Sequence, residues 1–308
     1  MFTPWSLSRT IRSNQILTYK IKGTRSIKKI LKPESLLLGG KTVTQSLPVE
    51  SMENHDPFLL LHHAGPYKLS QENAHFYVGP HPHRGFEPIT FVFQGGVNHK
   101  DSLGNDSSVE APGVQWISAA RGIIHSEQSS KKFEELGGDF ELIQLWVNLP
   151  AEQKMKAATY IKSDANALKQ IPVPNSSKSK LYLVSGKEGD VEGPISNRTN
   201  IKSMMAFLEA EAEVHISLAS KSSAMVYVLG GQIEIDGQLI KGQDLAILDH
   251  QGETLQIKTL EDSRLLILEG KALGEEVVSW GPYVMNNQRE IMEAMRDYNQ
   301  GKMGFLAS

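Results

Sequence analysis

Eight of the ten histidines in this chain fall between residues 55 and 125, and two segments within that window carry the spacing of metal ligands. In Gly79-Pro80-His81-Pro82-His83-Arg84-Gly85-Phe86-Glu87 the two histidines are two apart, which on an extended strand places both imidazoles on one face. In Arg121-Gly122-Ile123-Ile124-His125-Ser126-Glu127 a histidine and a carboxylate are spaced the same way. Two such strands facing one barrel interior would present His81, His83, His125 and Glu127 to a single ion. The chain has no cysteine, so zinc fingers, iron-sulfur clusters, disulfides and a thiolate nucleophile are excluded together, and any metal is held by nitrogen and oxygen. That donor set suits Fe(II), Mn(II), Ni(II) or Cu(II) with positions left for water or substrate. Three imidazoles and an acid buried without a ligand would be costly, whereas His55, His62, His63, His75, His215 and His250 read as packed or surface residues.

Such a site needs strands, and the sequence supplies them. Phe91–Phe93, Val114–Ile117, Phe140–Val147 and Leu181–Val184 are short β-rich runs separated by Gly, Pro, Asn and Asp clusters, the pattern of a mainly β protein. Thr90–Gly96 and Val226–Gly237 share a strand, Gly-Gly, strand shape that suggests a diverged internal repeat. Residues 171–180, with two prolines, form the best linker between the halves. Around Ala219–Met225, where the first motif would recur, no ligand is present, so one metal per chain is expected, in the first half. One helix closes the chain: Asn287 caps it with Glu290 three residues on, Ile291, Met295 and Tyr298 form its apolar stripe, and Gly301 stops it.

At 308 residues the length favours two domains, and 40% hydrophobic with 22% charged residues is a globular composition. No apolar run of about 18 residues is present to span a membrane. The net charge of -3 hides an asymmetry. Residues 1–33 hold eight Lys or Arg and no acid, leaving 24 basic against 35 acidic residues elsewhere, a surface unsuited to phosphate backbones. No direct nucleic-acid binding is expected. The acid-free start lacks the apolar stretch of a secretory signal; it reads as a cationic extension, with an organellar transit peptide as the alternative.

His81-Pro82-His83-Arg84-Gly85-Phe86-Glu87, Gly95-Gly96, His99 with Asp101-Ser102 and Gly104, Gln115-Trp116, the Arg121–Glu127 run, Gln144–Pro150 and Gly281–Asn286 together make the chain resemble a pirin, of the bicupin branch of the cupins. The resemblance runs from about residue 26 to the end. It implies two face-to-face β-barrels, each a double-stranded β-helix, with a C-terminal helix: an extension over 1–25, a metal-binding cupin over 26–170 and a metal-free cupin over 181–308. Pirins bind iron through residues that match His81, His83, His125 and Glu127 here, so Fe(II) is expected. The general cupin pattern would take its acid from Glu87 instead, and Glu87 is the second candidate ligand. The resemblance further implies either a quercetin 2,3-dioxygenase-like oxidoreductase acting on O2 and a phenolic or flavonol-like molecule, with Glu127 as its base, or an iron-dependent redox-sensing regulator acting through a protein partner. A binding module for small phenols without turnover is the third reading. The expected compartment is the cytoplasm.

Overall fold

Alternation of side chains across extended strands sorts this molecule into two barrel interiors and one shared core. The computed structural model describes residues 23–38 and 41–307. It opens with β1 (Ile27–Leu31), β2 (Glu34–Leu38), β3 (Lys41–Leu47) and β4 (Phe58–Leu69). Next come β5 (Tyr77–His83), β6 (Phe86–Gln94), β7 (Gly96–Asp101), β8 (Asp106–Glu110), β9 (Gly113–Ser118) and β10 (Ile123–Ser129). The first half closes with α1 (Lys131–Leu136), β11 (Gly138–Asn148), α2 (Ala151–Lys154) and β12 (Thr159–Ser163). The second half holds β13 (Lys169–Ile171), β14 (Lys180–Ser185), the short pair β15 (Lys187–Glu188) and β16 (Val191–Glu192), β17 (Lys202–Leu208) and β18 (Glu213–Ser217). It continues through β19 (Ser223–Gly230), β20 (Gln232–Ile235), β21 (Gln238–Lys241), β22 (Leu245–Leu248), β23 (Thr254–Thr259) and β24 (Ser263–Gly270). A tail of β25 (Val278–Trp280), β26 (Tyr283–Met285) and α3 (Gln288–Asn299) ends the chain.

The repeat suggested by the two Gly-Gly hairpins is present at the level of topology. In the first half a seven-stranded sheet ordered β12-β9-β6-β11-β4-β3-β2 accompanies a four-stranded sheet β5-β10-β7-β8. The second half repeats it as β1-β22-β19-β24-β17-β14-β13 and β18-β23-β20-β21. The strand at the β12 position is β1 in the second barrel, paired antiparallel with β22 from Ile27↔Leu248 to Leu31↔Leu245. Residues expected at the start of the first domain therefore sit in the second barrel's sheet, because the open edge of β22 takes up the nearest unpaired strand.

The two large sheets pack face to face. Ile89, Phe91 and Phe93 of β6 share one buried cluster with Met225, Tyr227 and Leu229 of β19 and with Leu266 and Leu268 of β24. Burial of such side chains is worth about 1.5–3 kcal/mol each, so this interface is a core in its own right. Polar contacts also cross it. Arg264 donates to Glu141 at 2.7 and 3.1 Å, His63 Nε2 lies 3.2 Å from the same carboxylate, and His63 Nδ1 lies 3.0 Å from the Tyr227 hydroxyl. The inside of the second barrel is apolar, filled by Met204, Val226, Val228, Ile233 and Ile257 among others.

The stretch Ala219–Met225 is filled from the N-terminal side. Arg25, fully buried, donates to the carbonyls of Ala219, Ser222 and Gly252 at 2.5, 2.6 and 2.9 Å and to Ser222 Oγ at 3.0 Å. The rest of the cationic extension, residues 1–22, lies outside the described residues. At the other end α3 forms with its Asn287 cap accepting from Glu290 N, but its buried stripe is Ile291 and Ala294, while Met295 and Tyr298 are exposed. The helix lies on the β25–β26 pair with Ile124, Tyr283, Met285 and Met303, so only one edge of the expected stripe is covered. Among the described residues no helix is long and apolar enough to cross a membrane.

Candidate metal centre

β10 is the hinge of the candidate site, because it lies between the strands that bring everything else. It pairs with β5, setting His125 opposite His81 and Ile123 opposite His83, and with β7, setting Glu127 opposite His99. The ladder with β5 shifts register between His125 and Glu127, beside Gly79-Pro80, an irregularity of the kind that re-aims side chains at functional sites. Ring centroids are 4.7 Å apart for His81 and His83, 4.3 Å for His81 and His125, and 4.9 Å for His83 and His125. One ligand nitrogen from each lies within 4.8 Å of the other two.

The nitrogens of these rings are arranged for an electrophile. His81 Nδ1 donates to the Gly79 carbonyl at 2.8 Å, which leaves Nε2 as the nitrogen available to face an ion. His83 Nδ1 and both nitrogens of His125 are buried without a hydrogen-bond partner. Burial above all, then the neighbouring imidazoles, holds the His83 and His125 pKa values well below the ordinary histidine range, so both rings are neutral and can donate lone pairs. Leaving such groups unsatisfied costs about 1–3 kcal/mol each, and a metal ion is the partner that removes the cost for several at once. Three imidazoles fit a first-row divalent metal.

The two candidate acids differ in where their carboxylates go. Glu127 Oε1 accepts from Thr90 Oγ1 at 3.0 Å and from Gln115 Nε2, and its carboxylate is not among the mutually close ligand atoms of the three histidines. Gln144 Nε2 reaches Thr90 Oγ1 at 3.3 Å, so Glu127 rests on a polar patch contributed by β6, β9 and β11. Glu87 is removed from the cluster altogether. It shares the parity of Ile89, Phe91 and Phe93, which face the second barrel, and its Oε2 accepts from Thr199 Oγ1 at 3.0 Å. Burial raises its pKa, with the hydrogen bond from Thr199 opposing. Strand alternation thus turns Glu87, the second candidate ligand, toward Thr199 of the second half.

Other residues around the cluster were not singled out as site residues from sequence. His99 is buried, with Nε2 2.9 Å from Asp101 Oδ2, its ring 5.4 Å from His125 and stacked on Tyr160 at 4.1 Å and 1°. Burial raises the Asp101 pKa less than the hydrogen bonds from His99 and Asn105 lower it. Trp146 and Phe86 pack against His83 at 5.4 and 5.1 Å. The available signal for Thr90 and Trp146 was period-two parity on β6 and β11. The isolated histidines fall as packed or surface residues: His62 bonds Gln45, His75 pairs with Glu134, His215 with Glu213, His250 lies 3.2 Å from the Ser222 carbonyl, and His55 stacks on Phe58.

Comparisons with known proteins agree with this architecture. Residues 40–147 match the family model described as Pirin, and residues 203–304 that of the Pirin C-terminal cupin domain. A Pseudomonas aeruginosa protein named "Putative quercetin 2,3-dioxygenase" is 33% identical over 267 residues, covering 84% of this chain and 93% of that protein. Pirin-1 of Arabidopsis thaliana is 33% identical over 73% of this chain and 77% of its own length. The crystal structure of a quercetin 2,3-dioxygenase from Acinetobacter baumannii superposes with a TM-score of 0.85 at 32% identity, covering 92% of this chain and all of that one.

Proposed function

Since this chain belongs to the pirin family, we propose that its first barrel binds one divalent transition metal, Fe(II) before others, and uses it to cleave a flavonol-like phenol with O2. The observation that carries this reading is the convergence of His81, His83 and His125, with buried, unpartnered ring nitrogens on His83 and His125. Those three would hold the metal, with Glu127 as the fourth donor or as the base beside it. When bound, the metal would supply Lewis-acid stabilisation of a phenolate oxygen. The relatives named as quercetin dioxygenases support the substrate class.

In this reading Glu127 takes the proton of the flavonol hydroxyl. Both of its donors, Thr90 and Gln115, converge on Oε1, which leaves Oε2 to receive it. Trp146 and Phe86 cover one side of His83 and keep water from that flank. Tyr160, pushed up to about 12 by burial, stays a phenol and supports the His99 ring by stacking.

The test is elemental analysis of protein purified without added metal, followed by oxygen uptake on adding quercetin. About one metal per chain with metal-dependent oxygen consumption is the expected result. One metal per chain with no uptake under any divalent metal would leave the redox-regulator reading in its place.

A further inference from the structure

The tail of the chain, β25 to α3, falls within the match to the second cupin domain, yet its polar contacts go to the first barrel, at the turns that carry the metal ligands. Immediately after His83, Arg84 N donates to the Pro282 carbonyl at 3.3 Å and the Arg84 carbonyl accepts from Val284 N at 3.0 Å. Gly85 follows with φ at 89°, and a Cβ there would stand 1.9 Å from the Val284 carbonyl oxygen, so only glycine lets the tail lie this close. The Arg84 side chain donates to the Arg121 carbonyl at 2.6 Å and to Asp297 of α3 at 3.1 Å, joining the two motif turns to the helix. Farther along, Ser102 Oγ donates to the Met303 carbonyl at 2.9 Å and accepts from Ile124 N, next to His125.

Lys154 completes the junction. It is 1% exposed, and its ammonium donates to the Gly85 carbonyl at 2.7 Å, to the Val284 carbonyl at 2.9 Å and to Asn148 Oδ1 at 2.6 Å. Three donors meet three oxygens from three separate segments, a match that an ammonium makes and a neutral side chain of this length does not. No carboxylate takes part in that set of bonds. Burial lowers the Lys154 pKa to about 8, with Glu275 and Glu290 opposing from outside that set of bonds, so the ammonium is kept at a desolvation cost.

We propose that Lys154 is a positioning residue for the metal centre, fixing the His83-bearing turn on the C-terminal tail so that residues 278–304 form part of the first barrel's metal site. The inference rests on the reading that His81, His83 and His125 hold a metal. Lys154 touches none of them; it acts through the Gly85 and Val284 carbonyls, as partners outside the ligands themselves commonly do.

The experiment is calorimetric titration of metal-stripped full-length protein with Co(II), well below every variant's melting temperature so that lost stability alone does not move the affinity. Lys154→Met, which keeps the aliphatic stem, should raise Kd by about 10- to 100-fold. Asp297→Ala, which frees α3 from Arg84 without altering either motif, should also weaken binding. Ile257→Ala, a cavity in the second barrel's core, should lower stability and leave Kd unchanged. Wild-type affinity in a folded Lys154→Met protein overturns the inference. If that variant fails to fold, wild-type affinity in Asp297→Ala does so instead. Absence of Co(II) binding by the wild-type chain overturns the metal reading itself, an outcome distinct from equal binding by wild type and variants.

Discussion

His81 and His125 face each other across the β5–β10 ladder with their rings 4.3 Å apart, closer than either is to His83. Of the two, His125 is the more deeply buried and has both ring nitrogens unpartnered. His125→Ala should therefore abolish metal retention, as should His81→Ala combined with His83→Ala, by elemental analysis. In the wild type, metal at about a thousand times its Kd should add about 4 kcal/mol of stability, read as a rise in Tm that EDTA reverses.

The two glutamates should separate cleanly. Glu127→Gln keeps shape and hydrogen-bonding capacity but cannot take a proton, so flavonol turnover per bound metal should fall by about 10²- to 10⁴-fold. Glu87→Gln, facing Thr199 across the domain interface, should leave metal content and turnover near wild type and change stability by about 1 kcal/mol. The reverse pattern in steady-state oxygen uptake would return the acid to the general cupin position.

Arg264→Met should destabilise the protein by about 3–5 kcal/mol in urea unfolding, since it leaves Glu141 buried against His63 without its guanidinium. Replacing Glu141 as well, as Glu141→Gln with Arg264→Met, should recover part of the loss, because the uncompensated charge is then gone. A double-mutant cycle measures the coupling.

His62 gives a pH dependence with a defined sign. Burial lowers its pKa to about 4 in the folded state, from an ordinary value of 6.5. Between these values the unfolded chain binds more protons, so stability rises with pH across the window and is lost as pH falls from about 6.5 to about 4. His62→Gln should flatten that slope, by roughly 3 kcal/mol at most over the window, in unfolding curves collected from pH 4 to 7.

Arg25, in the expected extension over 1–25, is buried against the second barrel. Deleting residues 2–22 should leave Tm and metal content unchanged. Arg25→Met should cost about 2–4 kcal/mol, because the carbonyls of Ala219, Ser222 and Gly252 lose their buried donor. Differential scanning calorimetry of the two proteins decides it.

Local patterning made the strands, the repeat, the helix cap at Asn287 and the three-histidine cluster legible in the sequence. The spacing of His81 and His83 specifies a shared face wherever the strand lies, because alternation with period two is a property of the backbone. Tertiary structure decided what depends on which face meets which neighbour. Glu87 looked as available as Glu127 until the second barrel covered its side of β6, and Glu127 was drawn onto Thr90 and Gln115 by two strands distant in sequence. The swap of the termini belongs to the same class: Arg25 reaches residues 219–252 and Lys154 reaches Val284, contacts that no local pattern encodes. A buried cation is placed by the oxygens that surround it, and those are brought together only when the chain closes on itself.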